Sequence, residues 1–283
     1  MRDRTAKIFL IILSCLLISS CSLRWSYNLL DWLVAWEVDK YVSLDRQQKK
    51  QLHNSVDQFH QWHRQTQLPL YAKFLEQLES KLLDQKVDSG TLMQSFDQAA
   101  TLWQDSLVEF TAFAPSLFLE LSNKQITELI KNTTVETEAA VEKHMGRSEE
   151  QARDKKRKHM NKRLKKWLGK LTTEQKQLIA HWSLAINSNE TLMVQARQEW
   201  QRQFNLTLSS DQSNEDFEQQ VQTLLVYPER LWNDEYRHSV EHNRQLTLQL
   251  ISDISHRLNR QQMRKLRKKL RNYIGDFKYL ANH

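Results

Sequence analysis

Apolar residues along this chain recur at helical spacing, and one short motif punctuates them four times. Each copy has a leucine, a capping residue, a glutamine three positions after the cap and an apolar residue four beyond the glutamine. The copies are Leu44-Asp45…Gln48…Leu52, Leu121-Ser122…Gln125…Leu129, Leu171-Thr172…Gln175…Ile179 and Leu258-Asn259…Gln262…Leu266. Asp, Ser, Thr and Asn oxygens accept an amide proton that the first helical turn leaves unpaired. Glutamine three residues on can reach back to the cap and close a capping box. The motif therefore predicts helix starts near residues 45, 122, 172 and 259. Their unequal spacing excludes a solenoid period.

Between these starts, Leu68-Pro69 ends or kinks the helix begun at Asp45. Asp88-Ser89-Gly90 reads as a turn, and Ala114-Pro115 breaks the next helix. Residues 122 to about 166 read as one very long helix with Gly146 as its weak point, closed by Trp167-Leu168-Gly169 with Gly169 just past the C-terminus. A helix from Thr172 is expected to reach about Asn205, followed by a loop over 206–214. Pro228 interrupts the next helix, which resumes through Ser255. Near the N-terminus, Trp25, Leu29, Trp32 and Trp36 share one helical face. Such a face suits a core-packing first helix, or an interfacial one with its tryptophans at headgroup level.

Composition agrees with this pattern. Only 4 glycines and 3 prolines occur in 283 residues, while good helix formers abound. No stretch alternates long enough to build a sheet. The expected fold is all-α, a bundle of long antiparallel helices with no significant sheet.

The first residues add an address. Arg2, Arg4 and Lys7 precede an apolar run from Ile8 to Leu17, and Leu16-Leu17-Ile18-Ser19-Ser20-Cys21 reads as a lipobox. The apolar run is too short for a spanning helix, which needs about 20 such residues. Residues 1–20 are thus expected to be a cleaved lipoprotein signal peptide. Cys21 would become the lipidated N-terminus, carrying palmitate-type chains, and residues 21–283 a single helical domain. Stable attachment would come from burying CH₂ groups of more than one acyl chain. Ser22, rather than Asp, after the cysteine favours the outer membrane and its periplasmic face under the sorting rule for proteobacterial lipoproteins. Cys21 is then the one cysteine of the mature chain, which leaves no disulfide and no thiolate chemistry.

Charge is unevenly spread. The chain carries +7 overall. The window 153–166 has nine basic residues and one acid, and the window 257–271 has eight basic residues and none. The rest of the protein is therefore acidic. The expected basic surface comprises Arg153, Lys155, Lys156, Arg157, Lys158, Lys162 and Arg163 in the first window. In the second it comprises Arg264, Lys265, Arg267, Lys268 and Lys269. Charge runs are commonly solvated helix faces. Behind a lipoprotein leader, nucleic acid is not the expected partner. Anionic lipid, lipopolysaccharide, peptidoglycan or an acidic protein is.

Several stretches are familiar. Cys21…Tyr27-Asn28-Leu29-Leu30-Asp31-Trp32-Leu33, Tyr41-Val42-Ser43-Leu44…Gln48 and Trp62-His63-Arg64…Leu68-Pro69 resemble a proteobacterial lipoprotein family of unknown function (domain of unknown function 6279). Trp167-Leu168-Gly169-Lys170-Leu171-Thr172-Thr173-Glu174-Gln175 fits the same family. The resemblance, over nearly the whole chain after Cys21, implies a lipidated helical envelope protein and supplies no catalytic residues. Leu171 to Gln175 also resembles the Leu-Thr-x-x-Gln motif of Spy-type periplasmic chaperones, which implies a stress or chaperone role.

Candidate chemistry is sparse. His53, His60 and His63 lie roughly on one helical face with Asp57 nearby. His238 and His242 are four apart, with Glu235 three before the first. Such spacings suit Zn²⁺ or Cu²⁺ ligands, and equally suit histidines at the edge of a core. Glu235-x-x-His238 has the spacing of a di-iron bundle, but no second Glu-x-x-His is present. No nucleophile elbow or phosphate loop occurs, and no acid–base constellation can be named. The chain is expected to be non-enzymatic, with no catalytic residue and no cofactor.

Overall fold

A computed structural model describes residues 20–83, 88–145, 148–210 and 214–283. The described chain is helical throughout, with no strand among the described residues. In chain order the helices are α1 (Ser20–Tyr27), α2 (Leu30–Val38), α3 (Arg46–Trp62), α4 (Leu68–Leu83), α5 (Ser89–Thr111), α6 (Ala114–Leu119), α7 (Asn123–Met145), α8 (Glu149–Leu168), α9 (Thr173–Ala185), α10 (Glu190–Ser209), α11 (Asn214–Val226), α12 (Asp234–Ser255) and α13 (Arg260–Asn282). The all-α expectation holds. Leader residues 1–19 lie outside the described residues, as do the side chains of Cys21 and Ser22.

Among the described residues, the larger apolar clusters hold the bundle together as follows. Leu52, Val56, Leu117, Leu129, Phe204 and Val221 meet where α3, α6, α7, α10 and α11 converge. Met160, Leu164, Ile179, Leu250 and Ile254 join α8, α9 and α12. Leu23, Leu68, Ala72, Tyr273, Phe277 and Leu280 bind α1 to α4 and α13. The pair α4 and α13 makes the most extensive helix–helix contact.

The four repeated motifs do more than start helices. They interlock in two pairs with the same geometry. Gln48 Nε2 donates to Gln125 Oε1 at 3.3 Å, and Gln125 Nε2 returns a bond to Gln48 Oε1 at 2.6 Å. Each amide spends its other proton on a backbone carbonyl five residues before its partner: Gln48 on Glu120, Gln125 on Ser43. The second pair repeats this bond for bond. Gln175 and Gln262 exchange amide bonds of 3.0 and 2.9 Å, and donate to the carbonyls of Arg257 and Lys170. Each glutamine carbonyl also accepts its own cap N–H, from Asp45, Ser122, Thr172 and Asn259. The motif apolar residues follow the pairing. Leu44, Leu52, Leu121 and Leu129 share one cluster, whereas Leu171, Ile179, Leu258 and Leu266 share another. A buried amide is tolerated only when its hydrogen-bonding groups are matched, and each pair meets that demand internally.

Other expectations need correction. The long helix expected from residue 122 is two helices, because Ser148 caps a new one. Its Oγ accepts the Gln151 amide and Gln151 reaches back, closing a further capping box. Gly146 itself lies outside the described residues. The helix from Thr172 stops at Ala185, where Ile186 turns extended. Asn187 then exchanges hydrogen bonds with Asn243 on α12, so a side chain from elsewhere satisfies the freed backbone. The expected loop over 206–214 is still helical through Ser209. Phe204, Thr207 and Leu208 are buried there, and packing outweighs the polar local sequence. Residues 211–213 lie outside the described residues. The Asp88 turn is the N-terminus of α5, with Asp88 accepting the Thr91 amide at 2.7 Å.

The chain does not leave helix at Pro69 but passes from α3 through a widened turn into α4. The turn before it, His63–Gln67, is π-helical. Proline has no N–H and its ring crowds the carbonyl four residues back, so a widened turn accommodates it. Gly169 ends α8 as expected, at φ 88°, in the left-handed region that glycine occupies without strain. A Cβ there would lie 3.4 Å from Lys265 Cδ and Nζ, so the α13 lysine rests directly over the α8 terminus.

Candidate anion-binding face

The two basic windows form α8 and the N-terminal half of α13, and the fold lays these helices against each other. Each turns its apolar stripe inward, α8 through Met160, Leu164 and Leu168, α13 through Leu270, Tyr273 and Ile274. The cations are left outside in two different environments.

The first half of α8 is answered by acids. Arg153 meets Glu149 at 3.3 Å, and Arg157 and Lys158 both reach Asp154 at 2.6 Å. Lys156 bridges to Glu190 at 3.4 Å. On α13, Arg267 and Arg271 share Glu79, at 3.1 and 2.8 Å. Exposed pairs of this kind contribute little stability, and they cancel much of the local field.

Where the helices meet, the balance changes. Lys166 on α8 lies near Lys269 on α13, with Lys162 beside the first and Lys265 beside the second on their own helices, and among the described residues none of the four makes an ion pair. Burial lowers the Lys166 pKa, and Lys162 lowers it further. Burial likewise lowers that of Lys269, helped by Lys166 and Lys265. Lys269 Nζ lies 5.4 Å from the centroid of the Trp167 ring, which supplies a cation–π floor. Trp167 packs in turn on Tyr273, at 5.8 Å between centroids. Gathering like charges at a partly desolvated spot costs free energy that an anion would relieve. Arg163, Arg264 and Lys268 are exposed on the same two helices. The windows were legible in the sequence. Their convergence, and the pairing of the Arg153–Lys158 stretch, were not.

The histidine candidates do not assemble. His53 is exposed and pairs with Asp57 at 3.5 Å. His60 and His63 instead enter an aromatic cluster with Tyr27, Phe59 and Tyr71. Glu235, His238 and His242 line an open cleft of about 720 Å³ beside Glu149, Arg153 and Ser239. Among the described residues, no group of three His, Cys, Asp or Glu side chains can hold a metal ion. Helical spacing put His53, His60 and His63 on a common face, but their side chains turn to different neighbours.

His63 has a structural use. It is buried in the π-helical turn, and its Nδ1 shares a hydrogen bond of 3.0 Å with the Tyr27 hydroxyl. Burial first, then His60, pushes its pKa down from 6.5 to about 3. The folded protein therefore holds His63 neutral while the unfolded chain protonates it below pH 6.5. The stability this lends is complete above that pH and is lost as pH falls towards 3, by up to about 1.4 kcal/mol per unit. Urea unfolding at pH 7 and pH 5 is expected to show wild type losing more stability on acidification than His63→Phe. Equal losses would assign the acid sensitivity elsewhere.

Among the described residues no helix is long and apolar enough to cross a membrane. No curated protein and no solved structure matches the chain. A family model does match, over residues 40–237. That span takes in α8 and the first glutamine pair. It leaves out α13 and the Tyr27–Leu33 stretch, so it is shorter than the resemblance read from the sequence. With well over half of its length matched, the chain belongs to a family of unknown function, DUF6279.

Proposed function

We propose that this protein is a lipid-anchored, non-enzymatic component of the cell envelope, held by an acylated Cys21 at the outer membrane and facing the periplasm. From there it presents a basic surface to an anionic envelope partner. The observation that carries this reading is the meeting of Lys162, Lys166, Lys265 and Lys269 on one face. These lysines come from windows about a hundred residues apart and, among the described residues, have no carboxylate paired with them. Four ammonium groups on adjoining turns of α8 and α13, one of them over an indole, suit clustered phosphates or carboxylates, as on anionic lipid, lipopolysaccharide or peptidoglycan.

The motif behind the likeness to Spy-type chaperones is already fully used. Gln175 is 0% exposed and spends its amide on Gln262 and Arg257. It is therefore not free to serve a client, and this favours the anion-binding reading over a chaperone role.

Sedimentation of the protein with vesicles tests the proposal. Binding should be strong to vesicles containing phosphatidylglycerol, weaker to pure phosphatidylcholine, and should fall as salt is raised, because screening shortens the reach of surface charge. Peptidoglycan sacculi and lipopolysaccharide in parallel arms identify the source of the anion. Equal, salt-insensitive partitioning in every arm would overturn the reading. Mass analysis of the N-terminal peptide from membranes separately reports whether Cys21 carries acyl chains.

A further inference from the structure

The helix α2, Leu30–Val38, is almost wholly apolar, yet none of its residues is buried. One side leans on the bundle, with Val34 and Val38 packed against the core around α3. The other carries Trp32 and Trp36, 58% and 50% exposed, with parallel rings 6.2 Å apart. Trp25 on α1 is 69% exposed, the most open of the large apolar side chains among the described residues. Lys40 Nζ caps Trp36 at 3.3 Å from its ring centroid. Other exposed apolar residues, such as Leu119, Val135 and Leu184, are scattered singly, as on ordinary surfaces. Three open tryptophans within twelve residues are not ordinary.

We infer that α1 and α2 form a docking ledge for the bilayer surface, with Trp25, Trp32 and Trp36 at headgroup depth. Indole combines an apolar body with a polar N–H and prefers that layer, while Lys40, over the Trp36 ring, is already paired with Glu37 at 2.5 Å. The chain just before the ledge supports the same occupant. The apolar run Ile8–Leu17 is followed by Cys21, and Trp25 stands four residues on, about 6 Å of helix. Whether the run stays in the membrane or Cys21 is acylated in its place, the ledge begins at the bilayer.

The ledge is also fixed to the basic face. Arg24 Nε meets the buried Asp276 at 2.7 Å, and its guanidinium lies 4.0 Å over the Tyr279 ring. Leu23 and Tyr27 pack with Tyr273, Ile274 and Phe277. Lys269 precedes Asp276 by seven residues, about 10 Å along α13. That is comparable to the Debye length in cells. Docking the ledge thus brings the lysine cluster within reach of headgroup charge.

The inference rests on the envelope reading for the presence of a bilayer, and its test is separable from anion binding. The full chain is reconstituted into phosphatidylcholine vesicles, with and without brominated acyl chains near the headgroup, and vesicle flotation reports anchoring. Brominated lipid should quench wild-type tryptophan emission. The W25F/W32F/W36F variant, with its circular dichroism checked for folding, should lose most of that quenching. Flotation without quenching, or quenching unchanged in the variant, overturns the ledge alone. Tryptophans shielded from aqueous iodide yet untouched by bromine would assign the face to a second copy, and so also overturn it. Absence of flotation overturns the anchor together with the ledge. Because the lipid is zwitterionic, none of these outcomes depends on the lysine cluster.

Discussion

Replacing Lys162, Lys166, Lys265 and Lys269 together by glutamine is expected to weaken binding to anionic vesicles about 1,000-fold. A basic residue near an anionic surface contributes about 1 kcal/mol, so four lost charges remove about 4 kcal/mol, and each 1.4 kcal/mol is about tenfold in affinity. The salt dependence should flatten with the affinity, since fewer charges remain to be screened. Folding should not suffer. Lys166 is held below its usual pKa by burial and by Lys162, and Lys269 by burial and by Lys166 and Lys265, so removing the cluster relieves repulsion. The control replaces Arg153, Arg157 and Lys158 by glutamine. These cations already face Glu149 and Asp154, so the loss should be much smaller. Vesicle sedimentation of both variants decides the matter. If the two sets cost the same per charge removed, net charge alone governs binding and the convergence of α8 with α13 is irrelevant to it.

Gln175→Leu is expected to be among the most destabilising single changes in the protein, on the order of 3 kcal/mol. The side chain is fully buried, and its loss leaves Gln262, the Arg257 carbonyl and the Thr172 amide each short of a partner. A buried polar group left unpaired costs about 1–3 kcal/mol. Gln125→Leu removes an equivalent side chain at the first interlock, but that site is only half-buried, so water can replace the lost bonds at smaller cost. The sharper check is a double-mutant cycle by urea unfolding. Gln175→Leu with Gln262→Leu should cost less than the sum of the single changes, by about 1–3 kcal/mol, because both remove the same pair of bonds. Strict additivity would mean that the two glutamines act as independent caps.

The interlocks show how far local pattern carries. Asp45, Ser122, Thr172 and Asn259 were readable as helix starts, because capping is a contest among atoms within a few residues. That Gln48 seeks Gln125 and Gln175 seeks Gln262 was not readable. Their separations of 77 and 87 residues carry no periodicity, and an amide does not encode which distant carbonyl it will meet. The break at Ile186 was missed for the same reason, since Asn243, which satisfies Asn187, lies on another helix. The histidines erred in the opposite direction. Spacing grouped His53 with His60 and His63, but the Tyr27 ring and the π-helical turn before Pro69 draw two of them inward and leave the first beside Asp57.

The amino-acid sequence by itself determined the helical class, the helix starts, the left-handed stop at Gly169 and the two basic windows. Each follows from propensity, capping or charge counted over a few turns. The tertiary structure alone decided which cations stay unanswered, which glutamines pair and which face of α2 remains open. These depend on what each helix packs against, and long-range packing is specified by the burial of the whole chain rather than by any segment of it.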